Sequence, residues 1–464
     1  MTRAFALVGL LLAGCATTGR PPPPAVAEAQ LPAAFALLDA ERVASGEIAD
    51  LLPTADPAYV LLAERALTTA PTLEEAIARI DIARAGLRAA RAEQLPSVTA
   101  SGTVTRERLN QQQFGALPPG ISIDPDRTTF NVGLNVSWDA DLFGRLRASR
   151  RAAAARVDAA NADAAGVRLA LRADIARAVI DLRALDAREA VARADVATAA
   201  DLVAITGIRA RAGIAPGFDL VRAQSLEADA RGRLQPILSQ RASVLGQLAT
   251  LTASPVQDVI AAFRSANGPA PTAAPALAIP SVRLRARPDV AAAERRLTAA
   301  DQEIAAAAAE RYPRLSITAA ISLFTLGLGT LFDDRSLTGS VGAGLAGPLL
   351  DFGRVGARID QSQGEARLAF ATYRRVLFTA LGETEAALGG LSAADRRAVE
   401  LERQAAIDTD AVALARERYR RGLDPFLTVI DVQRTAFASR SNAIEAGADA
   451  SRARVALYRA VGGT

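Results

Sequence analysis

Apolar and polar residues alternate strictly between Phe130 and Trp138. Phe130, Val132, Leu134, Val136 and Trp138 share one face, and Asn131, Gly133, Asn135 and Ser137 share the other. This is the period of a strand set between two different solvents. Three further runs repeat it: Val98, Ala100 and Val104 oppose Thr99, Ser101, Thr103 and Thr105; Leu315, Ile317, Ala319, Ile321 and Leu323 oppose Ser316, Thr318 and Ser322; Leu337, Val341, Ala343 and Leu345 oppose Thr338, Ser340, Gly342 and Gly344. Each run is about ten residues, enough to cross a bilayer when tilted. Period two alone also fits a soluble hairpin that rests one face on a core. Trp138, at a strand end, stands where an interfacial aromatic belongs.

The rest of the chain follows the helical period. Leu171, Ile175, Ala178, Leu182 and Leu185 are spaced by four, three, four and three residues, which is a coiled-coil seam. The pattern predicts long helices over 145–212 and 354–421, each roughly 100 Å at 1.5 Å per residue. Gly389 and Gly390 weaken the second, each costing about 1 kcal/mol relative to alanine. Helices over 216–252 and 425–461 follow the long ones, and shorter helices over 73–95 and 288–311 precede the strands.

The two halves share one layout. Gly144, Gly213, Pro216 and Gln224 return 209 residues later as Gly353, Gly422, Pro425 and Gln433. The stretch Ala92–Val98 returns as Ala309–Leu315, shifted by 217. The chain is therefore a tandem structural repeat, with a fold that is mainly α plus a membrane β-barrel portion. Four strands per chain cannot close a barrel, which needs at least about eight. An open edge cannot face lipid, so the barrel must be shared between chains. Two, three or four copies are all compatible with an even strand number.

Both long helices end in the same way, Arg211-Ala212-Gly213-Ile214-Ala215-Pro216 and Arg421-Gly422-Leu423-Asp424-Pro425. Glycine stops the helix, proline takes the first position of the next, and Asp424 is a candidate N-cap. Arg209, Arg211, Arg420 and Arg421 stand at the carbonyl-rich ends. These are helical hairpins with defined tips.

The N-terminus points to a destination. Arg3 precedes an apolar run from Ala4 to Leu12, followed by Ala13-Gly14-Cys15. The run is too short to span a bilayer and resembles a bacterial lipoprotein signal, with 1–14 removed and Cys15 acylated. Ala16 after the cysteine directs the product to the outer membrane. Cys15 is the only cysteine of the 464 residues, which excludes an intrachain disulfide. The net charge is +4, but arginine and acid alternate along the helices instead of forming a basic block, so nucleic acid is excluded as a partner.

Asp141-Leu142-Phe143-Gly144-Arg145 after a strand, Asp351-Phe352-Gly353-Arg354 at the equivalent place, and Arg287-Pro288-Asp289-Val290 with Ala293-Glu294 form an ordered set of motifs. Arg418-Tyr419-Arg420-Arg421-Gly422, leading to Leu427-Thr428-Val429-Ile430-Asp431, completes it. Together with the signal and the duplication, the chain resembles the outer membrane factor (TolC-like) family, in its lipoprotein branch serving RND-type efflux pumps. The resemblance implies a homotrimer with a 12-stranded barrel in the outer membrane and a long α-helical coiled-coil barrel in the periplasm. It also implies a closed helical tip that opens when a periplasmic adaptor and an inner membrane RND-type transporter dock. Leu427 and Asp431 fall where that branch places its apolar and acidic constrictions, and Tyr419 and Arg420 where bonds to the neighbouring hairpin hold the tip closed. Read from the residues alone, Leu427 is also compatible with coiled-coil core and Asp431 with a solvated charge. Asp219 and Arg222 match Thr428 and Asp431, so only the second hairpin offers the acid.

The segments expected are a signal peptide (1–14), a lipidated tether and periplasmic segment (15–72), a first repeat (73–252), an equatorial linker (253–279) and a second repeat (280–464). No catalytic constellation is present. The chain has no histidine, which removes the usual hydrolytic triads and zinc clusters, and no cofactor is expected beyond the lipid on Cys15. Glu383 and Glu385 read as solvated surface. The function expected is a passive outer membrane duct for small molecules, contacting outer membrane lipid. The alternatives are an exit duct for type I protein secretion and a periplasmic spacer, for which amphipathic strands would have no use.

Overall fold

The computed structural model describes residues 35–36, 48–110, 124–264 and 281–463. In chain order the elements are α1 (Pro57–Thr69), α2 (Pro71–Ala92), β1 (Ser97–Arg108), β2 (Asp126–Asp139), α3 (Arg145–Arg211), α4 (Gly217–Thr252), α5 (Val256–Arg264), α6 (Pro288–Ala309), β3 (Arg314–Thr325), β4 (Leu337–Ala346), α7 (Arg354–Arg420) and α8 (Phe426–Ala460). The series α2-β1-β2-α3-α4 recurs as α6-β3-β4-α7-α8, and α3 and α7 are both 67 residues long. No described helix is long and apolar enough to cross a membrane.

The chain divides into two compact units. The described residues of the first lie within Pro96–Ala152 and Leu297–Arg374 and hold an antiparallel sheet in the order β1-β2-β3-β4. Its pairs follow the alternation, with Val98 facing Val136, Leu134 facing Ile321 and Ile317 facing Ala343. Neither face rests on a core. Val98, Val104, Val132, Leu134, Ile321, Val341 and Leu345 are all exposed in the single chain. A soluble hairpin would bury such a row. Where β2 gives way to α3, Asp141 adopts φ +44 and Gly144 φ +80, and the Asp141 carboxylate accepts from the amides of Leu146 at 2.9 Å and Arg147 at 3.0 Å. Asp351 does the same before α7, accepting from Val355 at 2.8 Å and Gly353 at 3.1 Å. These amide bonds hold its pKa below the ordinary value. Phe143 stacks on Tyr312, ring centroids 4.6 Å apart.

The second unit, whose described residues lie within Pro32–Leu95, Ala153–Arg296 and Arg375–Thr464, is helical. Leu171, Ile175, Ala178, Leu182 and Leu185 are all buried along α3. Despite Gly389 and Gly390, α7 is unbroken, with Leu388 and Leu391 buried on either side. Two elements were missed by the sequence reading. Helix α1 lies inside the stretch 15–72, expected as a tether and periplasmic segment with no helix assigned. Asp56 caps it through Ala58 N–H at 2.9 Å, Pro57 opens it, and Tyr59, Leu62, Ala63 and Ala66 form its buried stripe. Helix α5 occupies the start of the linker and buries Val259, Ala262 and Phe263. Arg183 of α3 joins both, with Nε and Nη2 on Asp56 at 3.0 and 3.2 Å and its guanidinium 4.8 Å from the Phe263 ring centre.

Glu383 and Glu385 are not merely solvated. Glu383 accepts from Arg287 at 2.7 Å, and Glu385 accepts from the Ala36 amide at 2.7 Å. Arg287 is buried. It also binds Asp289 and donates to the Ala460 carbonyl at 2.6 Å, closing the C-terminus of α8. Burial opposes its charge, but the bonds to Asp289 and Glu383 outweigh it and raise its pKa above the ordinary arginine value.

Candidate functional site: the helical hairpin tips

The two tips turn alike. After α3, the Ile214 amide donates to Arg209 O at 2.9 Å, and after α7 the Leu423 amide donates to Arg418 O at 2.9 Å. In both, the bond spans six residues around a left-handed glycine, Gly213 at φ +72 and Gly422 at φ +78. That geometry is the Schellman stop, which a residue with a Cβ adopts only under strain. Pro216 and Pro425 then sit at the N-caps of α4 and α8, one position earlier than expected, with extended ψ and no side-chain cap.

Asp424 therefore does not cap α8. Its carboxylate takes a two-pronged bond from Arg418, Nε at 2.7 Å and Nη2 at 3.0 Å, which clamps the second turn. The clamp holds the pKa of Asp424 below and that of Arg418 above the ordinary values. In the first tip the counterpart of Asp424 is Ala215. Arg209, the counterpart of Arg418, instead lies over the Tyr419 ring at 4.8 Å. The two equivalent arginines thus differ in partner, Arg418 binding its own turn and Arg209 the other hairpin.

Tyr419 is buried with Phe426, Val429 and Ile430 against Ala199 and Leu202 of α3 and Ala223, Leu226 and Ala230 of α4. Its ring lies 5.4 Å from that of Phe426 in the same hairpin and meets the first hairpin under Arg209. The hydroxyl has no hydrogen-bond partner among the described residues. Burial raises its pKa, against the lowering effect of Arg209. Arg420 is exposed and pairs within its own helix, with Glu417 at 3.3 Å. Leu427 and Asp431 are both exposed and lie one turn apart on α8. Phe426, Ile430 and Gln433 form the opposite, buried face. Cys15 lies outside the described residues.

A buried polar chain was missed by the sequence reading. Arg233 of α4 donates to Asp195 of α3 at 2.9 Å, Gln433 of α8 donates to the other Asp195 oxygen at 2.9 Å, and Arg416 of α7 donates to Gln433 at 2.9 Å. One strand of polar contacts thus crosses all four helices of the two hairpins. Burial, aided by Arg420 and Arg440, lowers the pKa of Arg416. Gln224 and Gln433 match in the repeat, yet only Gln433 is buried. The available signal was its place seven residues after Phe426, in the apolar seam.

Long helical hairpins that end in paired turns, together with a sheet that leaves its apolar face bare, are what an outer membrane duct requires. The family described as Outer membrane efflux protein matches residues 62–254 and 279–463. The chain belongs to that family. It is similar to the pyoverdine export outer membrane protein OpmQ of Pseudomonas aeruginosa, 30% identical over 98% of this chain and 95% of that protein. The toluene efflux pump outer membrane protein TtgI of Pseudomonas putida is 29% identical over 90% of this chain and 88% of its own length. Among solved structures, the outer-membrane channel OprN superposes with a TM-score of 0.85 at 26% identity, covering 94% of this chain and 98% of that one. This member of the efflux family is an outer membrane channel, built mainly of helices with a four-stranded sheet in each chain.

Proposed function

We propose that three copies of this channel close a 12-stranded barrel in the outer membrane. Their helices continue it as a duct through the periplasm, passing small molecules handed over by an adaptor and an inner membrane RND-type transporter. The observation that carries this reading is the sheet itself, with a bare apolar face and no partner, among the described residues, on the outer edges of β1 and β4. In lipid both edges must be paired. The tip is the gate: Leu427 and Asp431 narrow the passage, while the Arg418–Asp424 clamp, the Tyr419 ring and the Asp195–Gln433 contact hold the second hairpin to the first. Residues 1–14 are a cleaved signal, and Cys15 carries lipid that anchors 15–72 at the membrane. Residues 73–252 and 280–464 are the two repeats and 253–279 the segment between them.

Native mass spectrometry in detergent is expected to give three chains. A single chain that still inserts and conducts would overturn the shared barrel. Mass spectrometry of the mature N-terminus is expected to find Cys15 acylated, and an unmodified thiol there would remove the anchor.

A further inference from the structure

Inside the sheet the two repeats are related by two fixed shifts. Moving β1 by 217 residues and β2 by 209 carries the facing pairs Val98–Val136, Ala100–Leu134 and Val104–Phe130 onto Leu315–Leu345, Ile317–Ala343 and Ile321–Gly339. All three are observed pairs of β3 with β4. The hairpins thus correspond residue for residue. A single junction, β2 against β3, joins the first repeat to the second. The free edges of β4 and β1 are those same two edges, shifted.

Resting on the shared barrel proposed above, we infer that β4 of one copy pairs with β1 of the next in the register that the β2–β3 junction dictates. Under the same shifts, Leu134–Ile321 becomes Ala343 against the partner subunit's Val104, and Val136–Ala319 becomes Leu345 against the partner subunit's Gly102. On the other face, Gly133–Ser322 becomes Gly342 against the partner subunit's Thr105, and Asn135–Ala320 becomes Gly344 against the partner subunit's Thr103. Apolar positions meet the apolar face and polar positions the polar face. A slip of one residue would set Leu345 opposite a threonine and turn a row of side chains to the wrong solvent.

The hydrogen bonds carry over as well. The Ala140 amide donates to Leu315 O at 3.0 Å where β2 leaves β3, so the Leu349 amide of one copy donates to the Val98 carbonyl of the next. Leu349 is 96% exposed in the single chain. Ladder alternation then makes Gly342–Thr105 and Gly344–Thr103 non-hydrogen-bonded pairs, with Cα atoms about 4.5 Å apart, close enough for a disulfide.

The test is oxidative cross-linking of chains that carry both G344C and T103C, read on a non-reducing gel. Covalent dimers and trimers that collapse under reductant are expected. A Cβ at Gly344 meets only Ser316 Oγ at 3.4 Å, an ordinary contact. A second in-register pair, G342C with T105C, is expected to link less well, because at the equivalent Gly133 an added Cβ would stand 2.5 Å from Ser322 Cβ. The off-register pair G342C with T103C, and each single variant, should remain mainly monomeric on the gel. If the native mass is three chains but the off-register pair cross-links best, or neither in-register pair does, the register is overturned while the shared barrel stands. A native mass of one chain overturns the barrel and the seam with it.

Discussion

Gln433 Nε2 donates to Asp195 Oδ1 at 2.9 Å across 238 residues of sequence. Both side chains are buried, and the bond joins the hairpin that bears Leu427 and Asp431 to the other hairpin. Asp195 also holds Arg233, which is a quarter exposed and keeps Asp229 at 3.4 Å, so removing Asp195 chiefly leaves the buried Gln433 amide short of an acceptor. Leaving one buried polar group unsatisfied costs about 1–3 kcal/mol. Asp195→Ala is expected to lower the apparent unfolding temperature of the detergent-solubilised channel, and Gln433→Ala to lower it less. The coupling is measured by the double variant, whose cost should fall short of the sum by about 1 kcal/mol. Strict additivity would show that the two do not act as one contact.

The Arg418–Asp424 clamp has a defined pH window. The folded pKa of Asp424 is depressed below its ordinary 3.8, so the clamp is fully present above that value and is lost only as pH falls through the lower, folded one. The raised pKa of Arg418 keeps the cation charged at every working pH. Closed-tip conductance in planar bilayers should therefore be level from about pH 8 to 4 and rise only below the ordinary aspartate range. Asp424→Asn should show at pH 7 what the natural protein shows only in acid. A conductance step near pH 6 shared by both would place the titrating group elsewhere.

The buried Arg287 ties the half-exposed Asp289 and Glu383 to the last carbonyl of α8. Arg287→Met is expected to lower thermal stability by about 2–3 kcal/mol, because the Ala460 carbonyl and Glu383 lose a charged donor. Arg287→Lys should recover only part of this, since an ammonium lacks the planar fork that spans these acceptors. Melting curves of the three proteins decide it. Full recovery by lysine would mean that charge alone matters there.

The strands and long helices were legible because their periods are local. Val98 to Val104 and Leu315 to Leu323 announce their faces, and Gly213 and Gly422 mark helix ends within a residue. What was not legible depended on distant partners. Glu383 and Glu385 look like surface charges until Arg287 and the Ala36 amide are brought to them. Asp424 has the composition of an N-cap, but Arg418 competes for its carboxylate and wins with two charged bonds. Helix α1 fell inside the segment expected as tether and periplasmic segment, although Asp56-Pro57 and the spacing of Tyr59, Leu62, Ala63 and Ala66 were a readable start and stripe. Leu427 and Asp431 were assigned to a gate by resemblance alone, and the geometry adds that they share an exposed face.

That shared face leads to the gate itself. In the proposed trimer three Asp431 carboxylates approach a common axis and form a ring of like charge, which draws cations while narrowing the passage, and Leu427 one turn away provides a constriction that dewets. Both side chains are exposed in the single chain, and the tip core is made by Phe426, Val429 and Ile430 instead, so their removal should leave folding intact. Asp431→Ala is expected to reduce cation selectivity in planar bilayers, measured by reversal potential under a salt gradient. Adding Leu427→Ala should raise closed-state conductance severalfold, with the native mass and melting curve unchanged. If both variants keep the natural selectivity and conductance, the constriction lies elsewhere along the tip, and these two residues serve only as solvated helix surface.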